Sequence, residues 1–190
     1  MKKSILWFLC LSLVLISDAE EKRIENNGNL ILEAIPIIPQ IIKDDLSKFQ
    51  NVRSAGFRGF NHDNGIFITT RFGNVSQLHS VKSPGATRKQ VTFFKEPLGS
   101  ISANPNNSSI AFTMDKGGTE NAQIYLLDTN NGESKLLTDG SSRNGGPLWS
   151  NNGDMIAFQS TRRNGRSNDI WLMNVENPDK AKILLKSSDG

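Results

Sequence analysis

The sequence predicts an all-β fold, a partial β-propeller of three four-stranded blades that is preceded by a signal peptide and a short helical segment. Two observations predict it. From position 51 onward, strand-like runs of four to seven residues alternate with clusters of Gly, Asn, Asp and Ser. These runs recur at a spacing near 46 residues, and a repeat of about 40 to 50 residues with several short strands is typical of a propeller blade.

Three independent landmarks define the repeat, and nearly every step between equivalent positions is 44 or 46 residues. The aligned sets are Ile66-Phe67-Ile68 with Ile110-Ala111-Phe112 and Ile156-Ala157-Phe158, Gln77-Leu78 with Gln123-Ile124 and Asp169-Ile170, and Gln90-Val91-Thr92 with Leu136-Leu137-Thr138 and, more loosely, Ile183-Leu184-Leu185. We therefore expect blades over residues 53–98, 99–144 and 145–190.

The third unit indicates its individual strands most clearly. From the innermost strand outward, we predict strands over 147–149, 155–160, 169–174 and 181–186. The first two are joined through Asn152-Gly153, and Asn64-Gly65 stands in the same place in the first unit. Asn-Gly supplies the positive φ angles of a tight hairpin. Trp149 and its neighbours are expected to pack one blade against the next, without a ligand.

Residues 1–19 match an export signal. Lys2 and Lys3 precede an apolar run over 5–16, and small residues allow cleavage after Ala19. Twelve apolar residues are fewer than the roughly 20 that span a bilayer. The only cysteine, Cys10, lies inside the run, so the mature chain would have none. We expect a periplasmic or secreted protein with no stable membrane span; an uncleaved anchor is the alternative.

Residues 20–52 are expected to form a pre-propeller segment. Pro36 and Pro39 interrupt an apolar run over 30–39, which should therefore be extended rather than helical. A short helix is predicted from about Pro39 to Phe49, because proline suits a first helical turn and Ile42, Leu46 and Phe49 have helical spacing.

The charge balance gives no support for nucleic-acid binding. The net charge is +3, from 22 basic and 19 acidic residues, whereas a nucleic-acid interface needs basic residues clustered on one face. The densest basic stretch, 161–166, lies among Gly and Asn residues. It is expected to be a solvated hairpin turn.

No catalytic, cofactor-binding or metal-binding residue is predicted. The Gly-x-Ser-x-Gly elbow of α/β-hydrolases is absent, and the nearest match, 140–144, ends in Asn144. His62 lies in a predicted turn and His79 ends a predicted strand, so an exposed polar role and a structural role are expected. Residues 128–133 resemble the start of a calcium loop, but the glycine is one place early and the glutamate at the twelfth position is missing. Nucleotide-binding glycine patterns are also absent.

Three blades would leave two apolar faces uncovered, since closed propellers use about four to eight blades. The last residues, 187–190, are loop-like and lack the polar cap of a terminal repeat. We therefore expect the chain to be truncated before its remaining blades.

Two groups of propellers resemble this chain. Residues 149–158, continuing to 169–173, resemble the WSPDGKxIAF…DIYxMD blade of TolB-type propellers and of prolyl oligopeptidase family peptidases, with Asn151-Asn152 in place of Pro-Asp. Further stretches, at 39–55, 70–74, 76–79, 88–94, 96–97 and 160–166, resemble exported bacterial peptidases of the acylaminoacyl-peptidase and dipeptidyl-peptidase-like type. The resemblance covers roughly Ile38 to Leu185.

The peptidase resemblance implies a propeller that covers the active site of a C-terminal α/β-hydrolase domain and admits only short peptides. The resemblance also implies that residues 30–49 pack on this hydrolase domain. It implies no cofactor. The Ser-Asp-His triad of the family has no counterpart here, so no catalytic residue is carried over. The alternatives are a TolB-type periplasmic scaffold, for which residues 20–50 are too few to form the usual preceding domain, and a sugar-binding or lyase propeller, for which an aromatic platform or paired carboxylates are missing.

Overall fold

The computed structural model describes residues 22–50 and 52–188. The signal peptide predicted over 1–19 lies outside these residues. Within the described part of the chain, no helix is both long and apolar enough to cross a membrane.

A hairpin and a helix precede the main sheets. Strand β1 (Arg23–Glu25) pairs antiparallel with β2 (Leu30–Leu32), and a 3-10 turn at Asn26–Gly28 joins them. The sequence did not indicate this hairpin. Helix α1 (Gln40–Gln50) confirms the helix predicted from about Pro39 to Phe49.

Three four-stranded antiparallel sheets follow, each with its strands paired in chain order. The all-β fold class is confirmed. The strands are β3 (Gly56–Phe60), β4 (Ile66–Thr70), β5 (Gln77–Val81) and β6 (Lys89–Gln90) in the first sheet; β7 (Leu98–Ala103), β8 (Ser109–Met114), β9 (Gln123–Asp128) and β10 (Ser134–Leu136) in the second; and β11 (Asn144–Trp149), β12 (Met155–Ser160), β13 (Asp169–Asn174) and β14 (Asn177–Leu185) in the third.

The third sheet agrees with the prediction in its two middle strands and differs at its edges. Strand β11 begins at Asn144, three residues before the predicted start, because an irregularity between Gly145 and Leu148 lets the pairing with β12 continue. Strand β14 begins at Asn177, since only Val175 and Glu176 separate it from β13. Proline has no backbone N–H to donate, and Pro178 is tolerated in β14 because this outer strand pairs with a neighbour on one side only.

The middle sheet is buried on both faces. Because side chains alternate along a strand, Ile110 and Phe112 lie on one face and Ala111 on the other. The core shared with the first sheet contains Phe67, Leu78, Leu98, Ile110, Phe112 and Leu127. The core shared with the third sheet contains Ala111, Ile124, Leu137, Trp149, Ile156, Phe158 and Met173. The three sheets therefore stack in a row.

Polar contacts also join the second and third sheets. The indole N–H of Trp149 donates to the carbonyl oxygen of Ser102 over 3.0 Å. The side-chain amide of the buried Asn104 donates to the carbonyl oxygen of Gly153 over 2.8 Å. Trp149 thus packs one sheet against the next, as predicted.

Candidate functional site: an exposed apolar segment

A run of exposed apolar side chains precedes the first sheet in the chain. It consists of large side chains that are 50% to 80% exposed, and we call this set the apolar segment: Ile35, Ile38, Ile41, Ile42, Leu46 and Phe49. The segment coincides with the stretch, 30–49, that the sequence places outside the blades. Single exposed apolar residues are ordinary, but several large ones within residues 35–49 are typical of an interaction surface.

The polar side of α1 is satisfied within the helix. The Gln40 side chain donates to the Asp44 carboxylate over 2.8 Å, and the Lys48 ammonium lies 2.7 Å from the Asp45 carboxylate. No described side chain of the helix is buried. An eleven-residue helix is marginal in water by itself. We therefore expect the apolar side of α1 to be covered by a second surface that stabilises the helix.

The charges on α1 favour a protein surface over a lipid surface. Lys43 and Lys48 are balanced by Asp44 and Asp45, whereas helices that lie on anionic membranes are rich in Lys and Arg on their polar face. We therefore interpret the apolar segment as a protein-docking surface.

The two histidines lie in different surroundings. His62 is in the turn after β3, with Nε2 3.1 Å from the Asp63 carboxylate. His79 is almost fully buried and lies in the middle of β5 rather than at its end, which corrects the prediction. Its Nδ1 is 3.1 Å from the carbonyl oxygen of Gln77, and its ring centroid is 5.4 Å from that of Phe72.

A pocket of about 390 Å³ lies beside His79. Aromatic and amide side chains line it, among them Phe72, Phe93 and Gln90. Arg162 is the equivalent of Phe72 in the third sheet. Its guanidinium lies over the ring of Trp171, as the ring of Phe72 lies against that of His79. In the third sheet this position is covered by the second sheet, whereas in the first sheet no described sheet covers it. The pocket is therefore part of the uncovered face of the first sheet.

The elbow-like stretch 140–144 forms the connection from β10 to β11, without a strand-to-helix turn. The Ser142 hydroxyl donates to the Asp139 carboxylate over 2.6 Å. Burial acts to raise the pKa of Asp139, but hydrogen bonds from Ser142 and Ser141, together with the charge of Arg162, outweigh it and hold that pKa below its usual range. Asp139 therefore orders this connection.

The calcium-like stretch 128–133 forms the hairpin turn between β9 and β10. The Gly132 N–H donates to the Asp128 carbonyl over 2.8 Å, and the Asp128 carboxylate accepts from the Asn130 N–H over 2.9 Å. Among the described residues, no group of three or more His, Cys, Asp or Glu side chains could hold a metal ion.

The basic stretch 161–166 is a turn, but two of its arginines are not solvated as predicted. The Arg162 guanidinium lies 5.1 Å from the ring centroid of Phe158 and 4.9 Å from that of Trp171. The Arg163 guanidinium Nε lies 2.5 Å from the carboxylate of the fully buried Asp169. Burial lowers the pKa of Arg162, against the opposing charge of Asp139. These arginines fix the turn to the sheet.

One buried polar residue begins the third strand of each four-stranded sheet, at a position that the sequence repeat aligns. These residues are Gln77, Gln123 and Asp169. Each accepts a backbone N–H from the chain that leaves the outer strand, donated by Phe94 at 3.0 Å, Gly140 at 2.9 Å and Ser187 at 2.9 Å. The repeated polar position is therefore structural.

Replacing Asp169 with Asn should give a pH-dependent loss of stability. Hydrogen bonds from Arg163 hold the pKa of Asp169 below its usual value, against the effect of burial. A carboxyl group with a lowered pKa stabilises the fold fully above about pH 4, and that contribution disappears as the pH falls through the folded-state pKa. The urea midpoints of D169N and the wild type should therefore differ at pH 7 and converge in acid. A gap that does not change with pH would contradict this assignment.

No protein-family model and no curated protein sequence matches the chain. Solved structures do match. The TolB protein of Agrobacterium tumefaciens aligns with a TM-score of 0.60 and 19% identity, over 90% of this chain and 63% of that chain. A prolyl endopeptidase aligns with a TM-score of 0.59 and 13% identity, over 72% of this chain and 23% of that chain. Puromycin hydrolase aligns with a TM-score of 0.58 and 13% identity, over 73% of this chain and 22% of that chain.

The chain has a propeller-type fold. Its four-stranded antiparallel sheets are like those of the TolB and prolyl endopeptidase propellers. The chain spans less than two thirds of the length of each of these proteins. At identities below 20%, the likeness shows the fold and not the activity.

Proposed function

We propose that the three sheets are consecutive blades of the propeller of a serine peptidase of the prolyl oligopeptidase family, with its catalytic α/β-hydrolase domain outside this chain. The propeller would cover the active site and admit short peptides. The observation that carries this proposal is the apolar segment, which precedes the first blade and presents an uncovered surface for the hydrolase domain. The likeness to a prolyl endopeptidase and to puromycin hydrolase supports it.

The apolar segment would stabilise the contact between propeller and hydrolase by burial. Complete burial of one large apolar side chain contributes about 1.5–3 kcal/mol. Its most exposed members, Ile41 and Phe49, would therefore contribute most. The ion pair of Lys48 with Asp45 would stay at the edge of the contact, in water.

We also propose that the protein is exported, with cleavage after Ala19, to the periplasm or outside the cell. The signal-like sequence over 1–19 and the likeness to TolB support this proposal. A mature chain without Cys10 would have no thiol to oxidise in that compartment.

A TolB-type scaffold that binds protein partners is a second candidate, and one observation favours it. The alignment with TolB covers 90% of this chain, whereas the alignments with the two hydrolases cover 72% and 73%. The three sheets extend only over residues 56–185. The TolB match therefore includes residues outside the sheets.

The two candidates differ in what an antiserum against this chain would recognise in cells that produce it. The peptidase proposal expects a polypeptide larger than 21.0 kDa that is labelled by a fluorophosphonate, since this reagent forms a covalent adduct with an activated serine. Heating the extract beforehand is the control and should abolish the labelling. An unlabelled polypeptide of 21.0 kDa or less that co-purifies with an envelope protein would contradict the peptidase proposal and support the scaffold.

A further inference from the structure

A second pocket lies between the first and second sheets, at the end where β3 turns into β4. Its volume is about 330 Å³, and residues of both sheets line it, including the turns at 61–63 and 129–132. We call it the inter-sheet pocket. The apolar segment precedes Gly56, at the other end of β3. The pocket therefore lies away from the surface that we assign to the hydrolase domain.

The sequence repeat provides an internal comparison for the inter-sheet pocket. The equivalent space between the second and third sheets has a volume of about 180 Å³. Leu126 and Val175 line it, and both pack against the core of that interface. The residues at these positions in the inter-sheet pocket are Ser80 and Thr129. A repeat that exchanges packed apolar residues for polar ones loses packing at that place, and such departures are expected at functional sites.

Direct hydrogen bonds tie together the turns that follow the first strands of the second and third sheets. The side chains of Asn104 and Asn106 donate to carbonyl oxygens of the turn at 150–153, over 2.8 Å and 3.0 Å. Phe60 and His62 stand at the equivalent positions of the first sheet. Phenylalanine has no polar donor, and His62 contacts a residue of its own turn. The turns of the first and second sheets are therefore not tied in this way, which leaves the pocket open.

Opposite charges stand on the two sides of the inter-sheet pocket. Among the described residues that line it, Asp63 is the one acid and Lys89 the one lysine. Asp63 lies in the turn from β3 to β4, whereas Lys89 lies on β6, beside Ser80. Since neighbouring strands are about 4.8 Å apart, the backbones of β4 and β6 are separated by roughly 10 Å. A ligand with one positive and one negative end therefore matches the pocket.

The hydrogen bonds within the two turns leave suitable groups for both ends of such a ligand. Nε2 of His62 lies 3.1 Å from Oδ1 of Asp63, so Oδ2 can accept from an ammonium group. The side-chain oxygen of Asn131 accepts the Glu133 N–H over 2.9 Å, so its NH2 group can donate to a carboxylate. The ammonium of Lys89 provides a charge-assisted hydrogen bond to the same carboxylate.

We propose that the inter-sheet pocket binds a zwitterionic peptide of about two residues, with its carboxylate at Lys89 and Asn131 and its ammonium at Asp63. Two extended residues span about 7 Å, and the side chains of Lys89 and Asp63 close the remaining distance. Phe67 and Val91 provide an apolar wall for the peptide's side chains. Further sheets on the outer faces would leave this pocket accessible, because both of its walls are described sheets. The inference therefore does not rest on the peptidase assignment.

Calorimetric titration of the purified protein with the dipeptide Ala-Ala tests the proposal. Ala-Ala should bind, and its two blocked forms should bind more weakly. N-acetyl-Ala-Ala lacks the ammonium and Ala-Ala amide lacks the carboxylate. Each should lose about tenfold or more in affinity, the effect of one hydrogen bond to a charged group.

Two substitutions identify the residue at each end of the peptide. Lys89→Gln should weaken the binding of Ala-Ala about tenfold but leave that of Ala-Ala amide unchanged, because the amide lacks the charge that Lys89 binds. Asp63→Asn should weaken the binding of Ala-Ala but not that of the acetylated peptide. Lys135→Gln is the matched control, since Lys135 is the equivalent of Lys89 in the second sheet and lines a different pocket. It should not change the affinity.

Ser80→Leu separates loss of the pocket from loss of folding. It gives the first sheet the residue that occupies the equivalent position, Leu126, in the second. Leucine fills the pocket, so the binding of Ala-Ala should be abolished while the urea midpoint is not lowered.

Absence of Ala-Ala binding would overturn this inference and leave the peptidase proposal, which fluorophosphonate labelling tests, unaffected. Equal affinities for the three peptides would also overturn it. Binding that depends on Lys89 but not on Asp63 would do so as well, since that result describes a site for anions alone.

Discussion

Replacing Phe112 with alanine is expected to lower the free energy of unfolding by about 3–5 kcal/mol. Phe112 is completely buried in β8 of the middle sheet. Its ring centroid lies 5.4 Å from that of Phe94 and 5.5 Å from that of Tyr125, and both pairs are stacked. Alanine removes buried apolar area and leaves a cavity between the first and second sheets. Urea denaturation followed by circular dichroism measures the loss.

Phe93→Ala is the matched control for this change. Phe93 is the neighbour of Phe94 in the chain but is 77% exposed. Exposed substitutions of this kind usually change stability by less than about 0.5 kcal/mol. Equal effects of the two substitutions would contradict the packing of the first sheet on the second.

Replacing Gly153 with alanine is expected to destabilise the fold by about 2–4 kcal/mol. Gly153 has a φ of +69°, and an added Cβ would lie 2.5 Å from the side-chain oxygen of Asn104. Asn104 is buried, and its amide donates to the Gly153 carbonyl over 2.8 Å. The added methyl group would therefore strain the turn and displace a hydrogen bond between the second and third sheets.

Gly132→Ala is the control that isolates the contact with Asn104. Gly132 has a similar φ of +79°, but no atom lies within 4 Å of its added Cβ. Only backbone strain of about 1 kcal/mol is expected there. If thermal or urea unfolding gave the same loss for both glycines, the proposed contact between the sheets would be wrong.

The sequence predicted best the strands that contain a short apolar run between clear turns. Strands β12 and β13 lie at the predicted positions because each contains an apolar run, 155–158 and 170–173, bounded by residues typical of turns. The inner strand β11 was predicted too short, since Gly145 and Gly146 are residues typical of turns and not of strands. The β1–β2 hairpin was not predicted. Its strands have only three residues each, and the Asn29 side chain donates to the carbonyl oxygen of Gly117, in the connection between β8 and β9.

The composition of residues 161–166 predicted the turn correctly but predicted wrongly that its arginines would be exposed to solvent. Gly and Asn neighbours indicate a turn, and a turn is what forms. The partners of Arg162, however, are aromatic rings of the same sheet and Asp139 of the preceding sheet. The partner of Arg163, Asp169, stands at an aligned polar position, which is the one feature of the sequence that could have indicated the ion pair.

The candidate docking site was partly predictable. The sequence placed a short helix and apolar residues before the first blade, and those side chains are exposed in the structure. The surface that would cover these side chains is that of the proposed hydrolase domain. It could not be predicted from this sequence, because its residues lie outside this chain.

A crystal structure of the chain tests the central claim, that successive sheets stack through one repeated pair of faces. We expect the Trp149 indole N–H within hydrogen-bonding distance of the Ser102 carbonyl oxygen, with Phe112 between the first and second sheets. Sheets that pack instead as a closed two-layer sandwich, with Trp149 directed away from Ser102, would contradict it.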